Sequence, residues 1–121
     1  ILLNIRSLKL LYITDFISQP STFWRKKIVD EIGLFNVKYH FAMDYDYFIR
    51  LWQKQKPFII RKYLAGFRIH ENSKSTIVKN FENYIKEEQE IIRYHSNSKL
   101  WLLLHDIHRN IMTEIYYKIN K

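Results

Sequence analysis

The chain of 121 residues contains no cysteine, and it has only two glycines and two prolines. The absence of cysteine excludes disulfides and thiolate metal sites, and it fits a reducing compartment. Because glycine and proline are scarce, few tight turns are available, and long helices are favoured over a many-stranded sandwich. Apolar runs are also short, as at 101–104, whereas a membrane-spanning helix needs roughly 20 apolar residues. These absences predict a helix-rich protein without a bilayer span.

The composition provides ample material for a packed core, with 47% hydrophobic and 17% aromatic residues. The net charge of +8 suits partners that carry phosphate, such as nucleic acid, anionic lipid or a phosphorylated substrate. A lysine-rich solvated surface explains the same charge equally well. The basic residues are scattered, and their densest cluster is the triplet over 25–27. Charge alone therefore does not choose a function.

Two helices are predicted in the first half of the chain. Residues 25–33 have the pattern of a short helix closed by a glycine. A second helix is predicted over 44–55, with Asp44 as its N-cap and a proline stopping it. Asp46 and Arg50 are four residues apart and are expected to pair on this helix.

The second half is predicted to contain strands and then two helices. The composition of residues 58–69 favours two short strands around a central Ala-Gly pair. Apolar residues at helical spacing then predict two amphipathic helices, and the second stripe is formed by Leu100, Leu104, Ile107, Ile111, Ile115 and Ile119. Such a stripe is expected to pack on the domain or on a second subunit, making a homo-oligomer, and it could also touch a membrane surface.

Three motifs follow one another in a fixed order: "ISQPSTFWRKKIVDEIGLFN" (17–36), "MDYDYFIRL" (43–51) and "LAGFRIHENSKS" (64–75). Their order and spacing resemble the C-terminal half of family 2 glycosyltransferases with the GT-A fold. A glycine in the first motif matches a family glycine, but Leu34 stands where a second glycine is usual. The resemblance covers roughly half of the chain.

The resemblance implies an α+β fold class. Residues 1–75 would be the acceptor-side half of a GT-A domain, with few short strands and the helix that begins at Asp44. Residues 76–121 would be a C-terminal helical extension. The nucleotide-binding half of the domain has no counterpart upstream of Ile17, so the chain is expected to be the C-terminal part of a larger enzyme and inactive in sugar transfer by itself.

The resemblance also implies a chemical role for Asp44. In the family, the first acid of the second motif faces the acceptor and acts as general base. A carboxylate within hydrogen-bond reach can take the proton of a sugar hydroxyl as that hydroxyl attacks the anomeric carbon. The N-terminal end of a helix would keep the carboxylate ionised, and nearby aromatic rings are candidates for stacking on a sugar: Tyr45, Tyr47 and Trp52. A plain helix cap is the alternative for Asp44, and a structural pair is favoured for Asp46.

Other site residues are implied by the flanking motifs. His70 matches a histidine that contacts the divalent metal or the donor diphosphate in relatives, and Arg68 would meet phosphate. Gln19 and Ser21 would line the acceptor side, and Trp52 would contact substrate. A surface histidine, a solvated arginine and a simple turn around the proline are the alternatives. The metal would be Mn²⁺ or Mg²⁺ in the complete enzyme, and this chain alone is not expected to bind it.

The predicted function is therefore transfer of a sugar from a nucleotide-sugar to a hydroxyl of a glycan or surface polysaccharide. The expected place is the cytoplasm, including the inner face of the membrane. Rival interpretations are a basic helical nucleic-acid-binding domain and a membrane-surface or oligomerisation module. No clustered basic face supports the first, so no nucleic-acid partner is expected. His105 and His108 are expected to be ordinary surface or interface residues.

Overall fold

The computed structural model describes residues 7–66, Arg68 and residues 81–119. Within them the chain forms α-helices and a single 3₁₀ turn. The α-helices are α1 (Leu8–Leu11), α2 (Lys26–Ile32), α3 (Met43–Lys54), α4 (Phe81–His95) and α5 (Lys99–Ile119), and the 3₁₀ turn is Gln19–Ser21. None of the helices in this part of the chain is long and apolar enough to cross a membrane.

The predicted α+β fold is wrong for the described residues, because they contain helices and no strand or sheet. The strands expected over 58–69 are not formed where this range is described. Phe58 and Tyr63 are almost fully exposed there, and Lys62 N–H bonds back to the Ile60 carbonyl at 3.0 Å. A β-strand forms only when a neighbour completes its hydrogen-bond ladder. No other described segment supplies that ladder, so residues 58–66 form an unpaired coil.

The predicted helices α2 and α3 are confirmed to within a residue at each end. Gly33 ends α2 with a positive φ of 79°, and its N–H bonds to the Val29 carbonyl at 2.8 Å. Glycine adopts this left-handed conformation without a side-chain clash. Helix α3 ends at Lys54 because the residue before Pro57 is disfavoured in helical geometry.

Helix α3 lies at the centre of the packing, in contact with α1, α2 and α4, while α4 packs on α5. The described apolar core consists of Leu11, Tyr12, Tyr39, Ala42, Tyr45, Phe48, Ile49, Trp52, Ile91 and Ile92. Complete burial of one such large side chain stabilises the fold by about 1.5–3 kcal/mol. This core draws on both of the units predicted from the sequence, since α3 and α4 meet in it.

The start of α3 is held by a side chain from α4. The N-cap of α3 is Ala42, which has no side chain able to cap. Instead the Glu87 carboxylate accepts hydrogen bonds from the backbone N–H groups of His40 (3.0 Å), Phe41 (2.7 Å) and Ala42 (2.8 Å). The prediction that Asp44 is the N-cap is therefore wrong, and Asp44 lies in the first turn.

We expect Glu87→Ala to lower the free energy of unfolding by about 1–3 kcal/mol, because three backbone donors lose a charged acceptor. Glu87→Gln keeps one acceptor oxygen and should lose less. The control is Glu90→Ala on the same helix, which removes only an exposed ion pair with Lys38 and should cost under about 1 kcal/mol. Urea denaturation measures all three, and equal losses for Glu87→Ala and Glu90→Ala would contradict the capping role.

Candidate functional site

Asp46, on α3, is a buried structural carboxylate. Its side chain is 4% exposed, and it accepts a hydrogen bond from Arg50 Nε at 2.9 Å. His95 Nε2, at the end of α4, lies 2.7 Å from its second oxygen. The pair with Arg50 confirms the prediction, while the contact with His95, 49 residues away in sequence, was not predicted.

Arg50 of this ion pair also contacts the end of α2. Arg50 also donates to the carbonyls of Ile32 at 2.8 Å and Leu34 at 3.0 Å. Burial raises the pKa of Asp46, but the hydrogen bond with His95 and the charge of Arg50 outweigh it and hold that pKa below its ordinary value. Both Asp46 oxygens are thus occupied, and the residue joins three helices.

Asp44 has a different environment from Asp46. It is half-buried in the first turn of α3, and its Oδ1 accepts from the Tyr45 N–H at 3.0 Å. Burial raises the pKa of Asp44 by more than the backbone hydrogen bonds from the Tyr45 and Asp44 N–H groups lower it, and the charge of Glu88 adds a smaller rise. Within the described ranges no cation lies at salt-bridge distance from it. Asp44 is therefore a carboxyl with raised proton affinity, the reverse of the stabilisation expected for a helix cap.

Asp15 is a second carboxyl near Asp44 that the sequence analysis did not single out. It lies in the loop after α1, and its Oδ1 accepts from the Ile17 N–H at 3.1 Å. Burial raises the pKa of Asp15 to about 7, and the charges of Asp44 and Glu88 raise it as well. The sequence signal was an aspartate in a short segment that also contains Ile13, Phe16 and Ile17, which is too common to be informative.

Glu88 and Arg109 form a buried ion pair beside these two carboxyls. Glu88, on α4, is fully buried and bonds to Arg109 of α5. Burial lowers the pKa of Arg109, but the charge and the hydrogen bond of Glu88, together with smaller contributions from Tyr84 and Tyr45, raise it above its ordinary value, so the guanidinium stays charged. Arg109 also lies over the Tyr84 ring, with its guanidinium carbon 5.3 Å from the centroid. Arg109 therefore pairs with Glu88, and its charge also lowers the pKa of Asp15.

His105 is fully buried on α5, so of its two predicted positions, surface or interface, the surface one is wrong. Its Nε2 lies 3.4 Å from a Glu88 oxygen, and its Nδ1 lies 3.5 Å from Asp106. His105 lies on the side of α5 that packs on α4. His108, three residues later, is half-buried, and burial lowers its pKa.

The aromatic residues proposed for sugar stacking lie in the core. Trp52 is 8% exposed and packs edge-on against Phe16, with ring centroids 5.8 Å apart. Tyr45 is fully buried, and Tyr47 stacks on Phe35 at 4.2 Å. These rings have little surface left for a sugar in this arrangement, and the substrate-binding role of Trp52 stays a prediction.

The residues expected from the first and third motifs are not brought to Asp44 by any described contact. Gln19 and Ser21 lie in the 3₁₀ turn, where the Ser21 hydroxyl donates to the Ser18 carbonyl at 3.1 Å. Arg68 is exposed, and His70 lies outside the described residues. In the part of the chain that the structure describes, no group of three or more His, Cys, Asp or Glu side chains could hold a metal ion. The metal role of His70 stays a prediction.

Asp15 predicts a pH dependence of stability. Its pKa of about 7 in the folded state exceeds its ordinary value of 3.8, so between these values the folded state binds more protons. The stabilisation is complete below about pH 4 and is lost as the pH rises through about 7. As the pH rises through this range, the free energy of unfolding should fall by roughly 1–3 kcal/mol less in Asp15→Asn than in the wild type. The asparagine keeps an oxygen that accepts the hydrogen bond from the Ile17 N–H.

The measurement is urea denaturation of both proteins at about pH 5 and about pH 8. All other titratable groups are common to both proteins, so their contributions cancel in the difference. The control is Asp30→Asn on the exposed side of α2, which should decline as the wild type does. An Asp15→Asn decline as steep as that of the wild type would show that the carboxyl is not buried.

Comparison of the chain with protein-family models, with curated proteins and with solved structures finds no match. The functional interpretation therefore rests on two observations in the chain itself. These are the order of the three motifs and the contrast between Asp44, which has no cationic partner in the described ranges, and Asp46, whose oxygens are both engaged.

Proposed function

We propose that the chain is the acceptor-side part of an inverting glycosyltransferase related to family 2, and that Asp44 is its general base. One observation carries the proposal. The position that the motif assigns to the base holds a half-buried carboxyl whose pKa is raised and which has no cation at salt-bridge distance among the described residues. The other acid of the same motif, Asp46, is committed to Arg50 and His95.

The proposed step is a direct displacement at the anomeric carbon of a nucleotide-sugar. An Asp44 oxygen removes the proton from an acceptor hydroxyl, and the hydroxyl oxygen forms a bond to the anomeric carbon. The bond from that carbon to the diphosphate breaks, and the nucleoside diphosphate leaves with the electron pair. Attack from the opposite face inverts the configuration. The acceptor would be a glycan such as a surface polysaccharide.

The neighbouring carboxyls support the choice of Asp44 as a base. A general base is most effective when its pKa lies near the working pH. Burial and the charge of Glu88 raise the pKa of Asp44 toward that range, and Asp15 lies close enough to interact with it. Of the three carboxyls Asp15, Asp44 and Glu88, the charge of Glu88 is compensated by its ion pair with Arg109.

The donor would meet the third motif in this proposal. Arg68 is exposed, and it can therefore contact a phosphate. A divalent cation in the complete enzyme would neutralise charge on the leaving diphosphate, and the resemblance assigns its contact to His70.

The distribution of basic residues favours this proposal over nucleic-acid binding. Three cations of the described chain are engaged by carboxylates: Arg50 with Asp46, Arg109 with Glu88, and Lys38 with Glu90. A nucleic-acid interface needs clustered lysine and arginine side chains that are free to meet phosphates. The exposed triplet over 25–27 is too short to follow a nucleic-acid backbone.

We expect Asp44→Asn to lower kcat by about 10²–10⁴-fold, because the amide cannot accept the hydroxyl proton. The assay follows nucleoside diphosphate release by the natural protein that carries this sequence, with a panel of nucleotide-sugars and glycan acceptors. Each donor is tested with Mn²⁺, with Mg²⁺ and with a chelator. The matched control is Asp30→Asn, an exposed aspartate in the middle of α2, which should retain wild-type turnover.

Thermal denaturation must show that the Asp44→Asn variant is folded. Wild-type turnover in a folded Asp44→Asn variant would exclude Asp44 as the base. A wild-type protein that releases nucleotide from no donor in the panel would contradict the glycosyltransferase proposal itself.

A further inference from the structure

One face of α5 carries an exposed apolar stripe. Its members are 43–57% exposed and recur at steps of three or four residues: Leu100, Leu103, Ile107, Ile111 and Ile115. At a rise of 1.5 Å per residue, the stripe is about 22 Å long. Leu100, Ile107, Ile111 and Ile115 belong to the stripe that the sequence predicts.

The rest of the domain packs against the opposite face of α5. His105 is fully buried against α4, and Trp101 and Leu102 are partly buried against the core. The stripe points away from α4, because these residues lie on the other side of the helical wheel. Contiguous exposed apolar surface of this kind usually marks an interaction site.

The charges beside the stripe indicate what covers it. Lys99 lies at one end, and Glu114 lies among the apolar residues at the other end, and both are exposed. In an antiparallel pair of α5 helices centred on Ile107, Leu103 faces Ile111 of the second copy. The same register brings Glu114 next to Lys99 of the second copy at both ends. A parallel pair would instead place Glu114 beside Glu114, which is unfavourable.

We propose that α5 pairs antiparallel with α5 of a second copy of this chain through this stripe. The pair buries an isologous surface, as two-fold symmetric dimers do. A lipid surface fits less well, because Glu114 would have to enter it. Helices that lie on membranes are also rich in lysine and arginine on their polar face, whereas the described exposed cations of α5 are only Lys99 and Lys118. The proposal does not depend on the proposed catalytic function.

The test is sedimentation equilibrium of the 121-residue chain over a range of micromolar concentrations. We expect twice the monomer mass of 15.0 kDa. Ile107→Lys places two charges against each other at the centre and should weaken the dimer by about 30-fold or more. The control is Ile60→Lys, since Ile60 is 50% exposed and Ile107 is 48% exposed. Circular dichroism should show that both variants keep their helices.

A charge exchange tests the direction of the pair. Glu114→Lys should weaken the dimer, because it meets Lys99 of the second copy, and addition of Lys99→Glu should restore it. A chain that is monomeric at every concentration would overturn the proposal, as would a dimer unaffected by Ile107→Lys. A monomer that cosediments with vesicles containing anionic phosphatidylserine would overturn it in favour of a membrane surface.

Discussion

The buried carboxylate of Asp46 links α3 to α4 directly and to the end of α2 through Arg50. It is held by Arg50 from its own helix and by His95 from α4, and Arg50 continues to the carbonyls at the end of α2. A buried carboxylate is costly unless its oxygens are satisfied. Removal of one partner from such a site leaves an uncompensated buried charge, which strongly lowers the free energy of unfolding. The orientation of α3 against α2 and α4 therefore depends on this ion pair as well as on the apolar core.

That constraint also determines what Asp44 can do. The two aspartates are two residues apart, so on a helix their side chains point in different directions. With Asp46 turned inward and fixed, Asp44 is directed toward the half-buried region that it shares with Asp15 and Glu88. One acid is thereby stabilised as an anion, and the other has its proton affinity raised. Opposite environments for two neighbouring carboxyls are the arrangement by which proteins divide structural from chemical roles.

Local patterns were enough to predict α2, α3 and the Asp46–Arg50 pair, because helix periodicity, a closing glycine and i, i+4 contacts are properties of short segments. The contacts of Glu87 with the start of α3 and of His95 with Asp46 could not be predicted, since they join residues that meet only after α4 packs on α3. The burial of Asp15 has the same origin. The strands expected over 58–69 were wrong for residues 58–66 and Arg68, which the structure describes, because strand formation requires a partner that no nearby sequence specifies. Helix α5 was predicted, and Leu100, Ile107, Ile111 and Ile115 of its predicted stripe are exposed, so packing on the domain, one of the predicted alternatives, is wrong for these residues.

Titration of the side-chain carboxyl carbons by ¹³C NMR tests whether α3 holds one structural carboxylate and one carboxyl with raised proton affinity. The ordinary aspartate pKa is 3.8, and we expect the pKa of Asp46 to lie below it and the pKa of Asp44 to lie above it. The Asp44 resonance is assigned from the Asp44→Asn variant. An Asp44 midpoint at or below that of Asp46 would rule out opposite environments for the two carboxyls, because the carboxyl proposed as the base would then have no special proton affinity.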